Sequence, residues 1–397
     1  MRGVAVKANR LARLTEYAVS DLVLLKRELA GQGRDVIDLS VGDTDLPPPA
    51  VAVEALREAV GDPRMSKYGF QTGLVEFREA VARYMRRRFG VTVDPMTELL
   101  PLLGSKEGLA HFPLAFADVG DVCVLPEPGY PPYLGGAVLA DADVELFPLT
   151  ADRKFLVELE DVPRRRIAKT KLVFLNYPNN PTTAVAPLEY LERTVDFCRR
   201  HGIVIAYDNP YCETVYDGYR APSIMEIEGA REVAVEFHSF SKSFAMTGWR
   251  LGWAVGGSHL IATLAKLKTY VDTGPFLAVQ QAGARVLDEA EGIIEGIMGR
   301  LTARRDAAVS AFRGAGSTLE PPRATMYVWA PVPGDLPSRD FGRRLAEEEA
   351  VIVVHGSAFG AGGEGYVRAA LTVEPERLAE AGVRMARVVD RMGVPSA

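Results

Sequence analysis

Short apolar segments rich in β-branched residues alternate with helical patterns from about residue 97 to 270, and this alternation constrains the fold more than any other feature. Several of these segments are apolar almost throughout, as strands are when both faces of a sheet are covered. Strands separated by helices form a mostly parallel sheet. We therefore expect an α/β fold whose large domain has a mostly parallel seven-stranded sheet flanked by helices. The predicted strands are residues 98–103, 121–125, 143–147, 171–176, 202–207, 233–237 and 250–255.

Two helices can be predicted beside this sheet. The stretches 73–89 and 188–200 both carry apolar residues at helical spacing, and Gly90 follows the first as a typical helix end. The basic triplet 86–88 lies on that helix away from its apolar stripe. We therefore expect the triplet to be a solvated face.

The pattern changes after about residue 285, where a long helical stretch runs to about residue 314. Strand patterns at 325–330, 351–354 and 366–372 then alternate with helical patterns at 339–350 and 375–392. This predicts a smaller α+β domain made of residues 1–46 and 286–397, with an N-terminal arm, beside a large domain of residues 47–285. The N-terminal segment is expected either to join the small domain or to cross a subunit boundary.

Charge and cysteine content exclude several classes of protein. The net charge is −6, whereas a nucleic-acid partner requires a basic face. Cys123, Cys198 and Cys212 are widely spaced and form no C-x-x-C, which argues against a disulfide framework or a zinc site and favours a reducing cytoplasm. No apolar run approaches the ~18 residues of a membrane-spanning helix. The five histidines form no H-x-H or H-E-x-x-H, so we expect no metal.

One glycine motif is misleading. "GAGGEG" at 360–365 matches G-x-G-x-x-G, but it precedes a predicted strand, whereas a dinucleotide fingerprint follows a strand and opens a helix. A flexible loop is the better interpretation, and a Rossmann dehydrogenase is disfavoured. No G-x-S-x-G nucleophile elbow occurs either.

Polar residues follow the ends of several predicted strands, where α/β sheets bind ligands. Ser105 and Lys106 open a helix whose N-terminus can bind phosphate. Asp208 can pair with a protonated ring nitrogen, Asn180 stands in a proline-fixed turn, and Tyr130 can stack on a ring. An ordinary cap, turn or packed loop tyrosine explains each of these residues when it is taken alone.

The stretch "SFSKSFAMTGWR" at 239–250 indicates one ligand that would explain all of these polar residues together. Lys242 beside a phosphate site can form a Schiff base with an aldehyde cofactor. Ser239, Ser241 and Arg250 add phosphate ligands, and arginine suits the permanently charged part of that role. A lone S-x-S-K would be weak evidence, but five strand ends point to the same kind of cofactor.

At these residues the chain closely resembles the pyridoxal-phosphate-dependent aminotransferases of the aspartate aminotransferase type (class I/II, fold type I), over nearly its full length. The resemblance implies pyridoxal 5'-phosphate as cofactor, Lys242 as the Schiff-base lysine and Arg250 as a phosphate ligand. It also implies that Asp208 pairs with the ring nitrogen, while Asn180 and Tyr211 reach the phenolic oxygen.

Other segments extend the resemblance. Arg368 in "GYVRAALT" is implied to clamp the substrate α-carboxylate, and Gly42 in "IDLSVGD" to lie beside it. Lys106 and Asn180 are further expected substrate contacts. Tyr68 is implied to reach the phosphate of a neighbouring subunit, so the expected assembly is a homodimer with a shared active site.

Within the family the chain most resembles the LL-diaminopimelate aminotransferases and similar alanine- or glutamate-type enzymes, through "GSKEG", "EPGYPPY", "LNYPNNPT" and "MTGWRLGWAVG". Tyr17 corresponds to an N-terminal tyrosine that covers the substrate in that subgroup. Thr183 replaces the glycine of N-P-T-G, and Thr44 replaces the proline of "GDPD". Because of these two departures, the resemblance does not identify the substrate.

The implied activity is ping-pong transfer of an amino group between an L-amino acid and a 2-oxo acid. Glutamate and 2-oxoglutarate are the expected pair on one side, with LL-diaminopimelate, alanine or aspartate on the other. A C–S lyase or decarboxylase of the same fold would share the cofactor motifs. A ligand-sensing regulator would need a DNA-binding segment, for which a cofactor domain beginning near residue 50 is expected to leave no room.

Overall fold

The computed structural model describes residues 8–14, 18–334 and 336–393. Within them lie fourteen α-helices and twelve strands. The helices are α1 (Ala18–Gly31), α2 (Ala50–Val60), α3 (Val75–Phe89), α4 (Ser105–Phe116), α5 (Pro131–Leu139), α6 (Arg164–Ile167), α7 (Leu188–His201), α8 (Ala230–Val233), α9 (Phe240–Ser243), α10 (Ser258–Lys268), α11 (Leu277–Asp288), α12 (Ala290–Gly314), α13 (Ser338–Glu349) and α14 (Pro375–Arg391). The strands are β1 (Ile37–Asp38), β2 (Leu99–Leu102), β3 (Val122–Glu127), β4 (Asp143–Pro148), β5 (Thr170–Asn176), β6 (Val204–Asp208), β7 (Ala234–Ser239), β8 (Gly252–Gly256), β9 (Tyr327–Pro331), β10 (Val351–Ile352), β11 (Val354–His355) and β12 (Tyr366–Ala370).

The large sheet confirms the predicted α/β fold. Its seven strands are ordered β2-β8-β7-β6-β5-β3-β4, and they match the seven segments predicted from the sequence. The pairs from β4 to β7 are parallel, whereas β8 runs antiparallel to both β7 and β2. The carboxyl ends of β2, β3, β5, β6 and β7 therefore lie along one edge of the sheet.

Helices cover both faces of this sheet because alternate residues of its strands are apolar on both sides. Val122 of β3 joins a core with α3, α7 and α11, whereas the adjacent Cys123 joins a core with α4, α5 and α10. Helix α3 ends as predicted at Gly90, which has φ +74° and donates its N–H to Arg86 O at 3.0 Å. A left-handed glycine is the common end of a helix.

A second core lies among α12, α13, α14 and a three-stranded antiparallel sheet in the order β11-β12-β9. The predicted strand at 351–354 is divided into β10 and β11, because β10 pairs with β1 while β11 pairs with β12. Strand β1 thus joins residues 37–38 to this smaller unit. The proposed domain limits remain a prediction.

The segment Asn9–Arg13 forms a 3₁₀ helix that contacts the large unit. Arg13 Nη1 lies 2.7 Å from Asp141 Oδ1, and its Nη2 donates to Ala142 O at 3.2 Å. The N-terminal chain therefore touches both units, through Arg13 and through β1.

The basic triplet is only partly a solvated face, so that prediction was wrong for one residue. Arg86 and Arg87 are exposed, but Arg88 is half-buried and its Nε lies 3.0 Å from Oε2 of the buried Glu213. The sequence did not show this ion pair because Glu213 comes from a distant segment that follows β6.

The three cysteines are all buried and free. Burial raises the pKa of the Cys123 thiol to about 12, so this thiol is protonated at neutral pH. Among the described helices, none is both long and apolar enough to cross a membrane. The described residues also contain no cluster of three or more His, Cys, Asp or Glu side chains arranged to hold a metal ion.

Candidate active site

A cavity of about 780 Å³ opens at the carboxyl edge of the large sheet and reaches residues of the smaller unit. Twelve of the fourteen site residues predicted from the sequence line it. They are Gly42, Ser105, Lys106, Tyr130, Asn180, Asp208, Tyr211, Ser239, Ser241, Lys242, Arg250 and Arg368.

One end of the cavity is a polar cup suited to an anion. Gly104, with φ +79°, precedes the first turn of α4 and leaves room for the Arg250 guanidinium, since a Cβ there would lie 2.5 Å from Nη2. Arg250 Nη1 donates to Ser241 Oγ at 3.4 Å and to Thr247 O at 2.9 Å. Ser239 Oγ accepts the Ser241 N–H at 3.2 Å. A helix N-terminus, hydroxyl groups and an arginine together bind phosphate well.

Asp208 lies at the end of β6 and is almost fully buried. Tyr133 donates to its Oδ2 at 2.6 Å, whereas Oδ1 has no hydrogen-bond partner in the described part of the chain. Removal from water raises the pKa of Asp208 to about 7, although the hydrogen bond from Tyr133 acts in the opposite direction. The site thus holds a buried carboxylate oxygen that a cation or a charged N–H would stabilise.

Asn176 ties the loops after β5 and β6 together. Its Nδ2 donates to Asp208 O at 2.7 Å, and its Oδ1 accepts the Asn180 N–H at 2.8 Å. These bonds fix Asn180 beside Asp208. Thr183, where the resemblance expects glycine, has φ +62°, which is unusual for a β-branched residue.

Lys242 lies on the one-turn helix α9, directly after β7. Its Nζ donates to Gly42 O. A Cβ at Gly42 would overlap the Tyr327 hydroxyl, so only glycine allows this close approach. Tyr211 Oη donates to Tyr327 Oη at 3.2 Å. Burial alone would raise the pKa of Tyr327, but the positive charges of Lys242 and Arg368 lower it.

Arg368 lies on β12 of the smaller unit, and its guanidinium makes two hydrogen bonds and two contacts with aromatic rings. Nη1 donates to Asn180 Oδ1 at 2.8 Å, and Nη2 donates to Ser40 O at 2.7 Å. The rings of Tyr327 and Phe359 lie 4.3 and 4.8 Å from the guanidinium carbon. Its buried Nε has no hydrogen-bond partner within the described residues. A rigid guanidinium with spare donors is suited to bind a carboxylate.

Tyr130 and Lys106 line the cavity from the starts of two helices. Tyr130 is the residue that precedes α5, and its ring lies edge-on to Tyr133 with centroids 5.6 Å apart. Lys106 belongs to the first turn of α4 and has an exposed side chain.

One predicted site residue does not line the cavity, and the position of another is not described. Tyr68 is 71% exposed and lies against Phe70, which is 67% exposed. Tyr17 falls outside the described residues. Thr44, the other departure from the family pattern, accepts the Leu46 N–H at 3.2 Å.

Three aromatic residues of the site were missed from the sequence. Tyr133 stands one helical turn after Tyr130 in "EPGYPPY", so its spacing could have indicated it. Tyr327 and Phe359 belong to the smaller unit, where the sequence around them predicts only a strand and a loop. No local pattern places either of them beside Arg368.

Comparison with known proteins gives consistent results. Residues 34–384 match the family model of aminotransferase class I and II. The LL-diaminopimelate aminotransferase of Nitratidesulfovibrio vulgaris is 43% identical over 382 residues, which cover 96% of this chain and 98% of that protein. The LL-diaminopimelate aminotransferase of Syntrophobacter fumaroxidans is 42% identical over 383 residues, covering 96% and 99%.

Solved structures of similar proteins share the fold. A probable N-succinyldiaminopimelate aminotransferase from Thermus thermophilus superposes with a TM-score of 0.89 at 39% identity, covering 93% of this chain and 99% of that chain. Substrate-bound BacF from Bacillus subtilis superposes with a TM-score of 0.93 at 33% identity, covering 96% and 98%.

Proposed function

The chain belongs to the aminotransferase class I and II family, and from this premise we propose that Lys242 binds pyridoxal phosphate in the cavity and carries the proton transfers of transamination. The expected enzyme class is confirmed: the protein is a pyridoxal-phosphate-dependent transaminase that moves an amino group between an amino acid and a 2-oxo acid. The roles given to single residues, and the substrate, are our proposal.

The orphaned oxygen of Asp208 is the observation that carries this proposal. A buried carboxylate oxygen without a partner is unfavourable, and a protonated pyridine nitrogen supplies the missing donor. The polar cup around Ser241 and Arg250 suits the phosphate group. Asn180 and Tyr211 are the candidates to contact the phenolic oxygen, and Tyr130 is the candidate to stack on the ring. The described side chains therefore fit this cofactor.

The chain's own groups then have separate tasks. Pyridoxal phosphate supplies an aldehyde and an electron-withdrawing ring when it is bound. Arg368 holds the α-carboxylate of the amino acid, with its guanidinium already fixed by Tyr327 and Phe359. Lys242 would take the proton from the α-carbon of the amino acid as a general base and deliver it, as a general acid, to the carbon of the cofactor's aldehyde group. Asp208 keeps the ring nitrogen charged.

The amino donor that we propose first is LL-diaminopimelate, with 2-oxoglutarate as acceptor, because relatives of that name match over nearly their full length. Lys106 is the candidate to hold the distal carboxylate. A distal ammonium group needs an acidic partner, yet Asp208 is the only acidic residue among the described residues that line the cavity. That observation favours a second candidate, a donor without a distal ammonium group such as glutamate, aspartate or alanine.

We further propose a cytoplasmic homodimer. Tyr68 supports this, because a largely exposed tyrosine beside an exposed phenylalanine is positioned for a contact with another subunit. In such a dimer Tyr68 would reach the phosphate of the partner's site.

Two experiments test these assignments. Lys242→Ala should abolish transamination and the visible absorbance that depends on a covalent bond to the cofactor. Lys266→Ala, an exposed lysine on α10, is the matched control and should retain both. Turnover by the Lys242 variant would refute the catalytic assignment. A panel of amino donors with 2-oxoglutarate identifies the substrate, and no rate with LL-diaminopimelate would refute that choice.

A further inference from the structure

Tyr133 makes the only hydrogen bond to the Asp208 carboxylate among the described residues. Its hydroxyl donates to Oδ2 at 2.6 Å, and the residue is only 1% exposed. Asp208 lines the cavity, and its other carboxylate oxygen, Oδ1, has no hydrogen-bond partner among the described residues. The two oxygens of one carboxylate are therefore unequal, and Tyr133 is the cause of the difference.

Packing leaves the Tyr133 hydroxyl little freedom. Its ring stacks on Phe174 with centroids 4.8 Å apart and an interplanar angle of 27°. The ring of Tyr130 meets it edge-on from the side of the cavity. Burial also raises the pKa of Tyr133 well above its usual value, so the phenol remains a donor at neutral pH.

We propose that Tyr133 is a positioning residue for the cofactor ring: by donating to Oδ2, it holds Asp208 ionised and turned so that Oδ1 meets the protonated ring nitrogen. This inference rests on the proposed function, because it requires pyridoxal phosphate in the cavity. The effect passes through Asp208, since the phenol contacts the carboxylate and not the ring nitrogen.

A single proton can reside either on the cofactor's ring nitrogen or on the Asp208 carboxylate. A buried carboxylate that loses its hydrogen-bond donor binds a proton more tightly. The ring nitrogen would then give its proton to Oδ1, which leaves a neutral carboxylic acid and a neutral ring. A neutral ring withdraws electrons less strongly, so removal of the α-proton would slow. Tyr133 opposes this transfer by stabilising the charged carboxylate.

The test compares two cofactors on full-length protein freed of cofactor. Tyr133→Phe should weaken the affinity for pyridoxal phosphate about 10- to 100-fold, the range expected for one hydrogen bond to a charged group. The analogue 1-deazapyridoxal phosphate has a C–H in place of the ring nitrogen and keeps the aldehyde, phenol and phosphate. Its affinity should change by no more than about two-fold, because it has no N–H for Asp208 to hold.

Tyr207→Phe is the matched control. Tyr207 is a buried tyrosine on β6 whose hydroxyl donates to Tyr177 O at 2.8 Å, away from Asp208. Its loss should leave the ratio of the two affinities unchanged. Equal losses for both cofactors in Tyr133→Phe would mean a merely structural role and would overturn the proposal, as would unchanged affinity for pyridoxal phosphate.

A second variant tests the same inference if Tyr133→Phe fails to fold. Site-specific 3-fluorotyrosine at position 133 keeps the shape of the ring and makes the phenol a stronger donor. It should raise the affinity for pyridoxal phosphate relative to the deaza analogue, and an unchanged or lower ratio would refute the inference. If the unaltered protein does not bind pyridoxal phosphate through Lys242, the proposed function fails instead, so the two failures are distinguishable.

Discussion

Replacement of Asp208 by asparagine should stabilise the cofactor-free protein, and the gain should depend on pH. Burial raises the pKa of Asp208 from 3.8 to about 7. The folded chain therefore binds this proton more tightly than the unfolded chain, so stability falls as pH rises from about 4 to about 7. One pKa unit corresponds to about 1.4 kcal/mol, so the ionised carboxylate costs the cofactor-free fold roughly 4 kcal/mol above that window.

The assay measures the free energy of unfolding in urea for cofactor-free wild type and Asp208→Asn at pH 5 and pH 8. About two of the pH units over which stability falls lie between pH 5 and the folded-state pKa of Asp208. The difference in free energy of unfolding between Asp208→Asn and wild type should therefore grow by about 3 kcal/mol from pH 5 to pH 8. Asp390→Asn on α14 removes an exposed carboxylate and is the matched control, with no such growth expected. An equal effect of Asp208→Asn at both pH values would refute the reasoning.

Two further perturbations follow from the site. Arg368→Lys keeps the positive charge but loses the planar guanidinium between Tyr327 and Phe359. Steady-state kinetics should therefore show that KM for the amino acid rises about 10- to 100-fold, while the affinity for pyridoxal phosphate stays unchanged as the control. An unchanged KM would contradict the assignment of Arg368 to the α-carboxylate. Thr183→Gly relieves a left-handed conformation that costs a β-branched residue about 1–2 kcal/mol, partly offset by the greater freedom of glycine in the unfolded chain. The urea midpoint should therefore rise, by an amount that corresponds to a gain of about 0.5–1 kcal/mol in the free energy of unfolding. A lower midpoint would show that Thr183 is not strained at this position.

The sequence predicted the large sheet well because its signals are local. Most of the seven strands are short apolar runs, and the end of α3 is marked by Gly90. Many of the site residues were also predictable, because parallel strands bring their carboxyl ends to one edge. Asp208 and Lys242 follow directly from that rule.

What the sequence did not reveal depends on contacts between distant segments. Tyr327 reaches Gly42 and Arg368 only because strands of the smaller unit pack beside the loop after β1. Arg88 looked like part of a solvated face because its partner Glu213 comes from another part of the chain. In both cases the packing of separate elements, and not a local pattern, decides the environment.

The antiparallel course of β8 has a consequence for changes in chain length. Lys242 and Arg250 lie on the connection between β7 and β8, and the Phe240 N–H donates to Leu251 O at 3.1 Å at its base. Both ends of this connection are thus fixed to adjacent strands. A residue inserted or deleted between the lysine and the arginine has no free end through which the change can relax. Natural variation in this stretch should accordingly consist of substitutions, and its length should stay constant even where the surrounding loops grow or shrink.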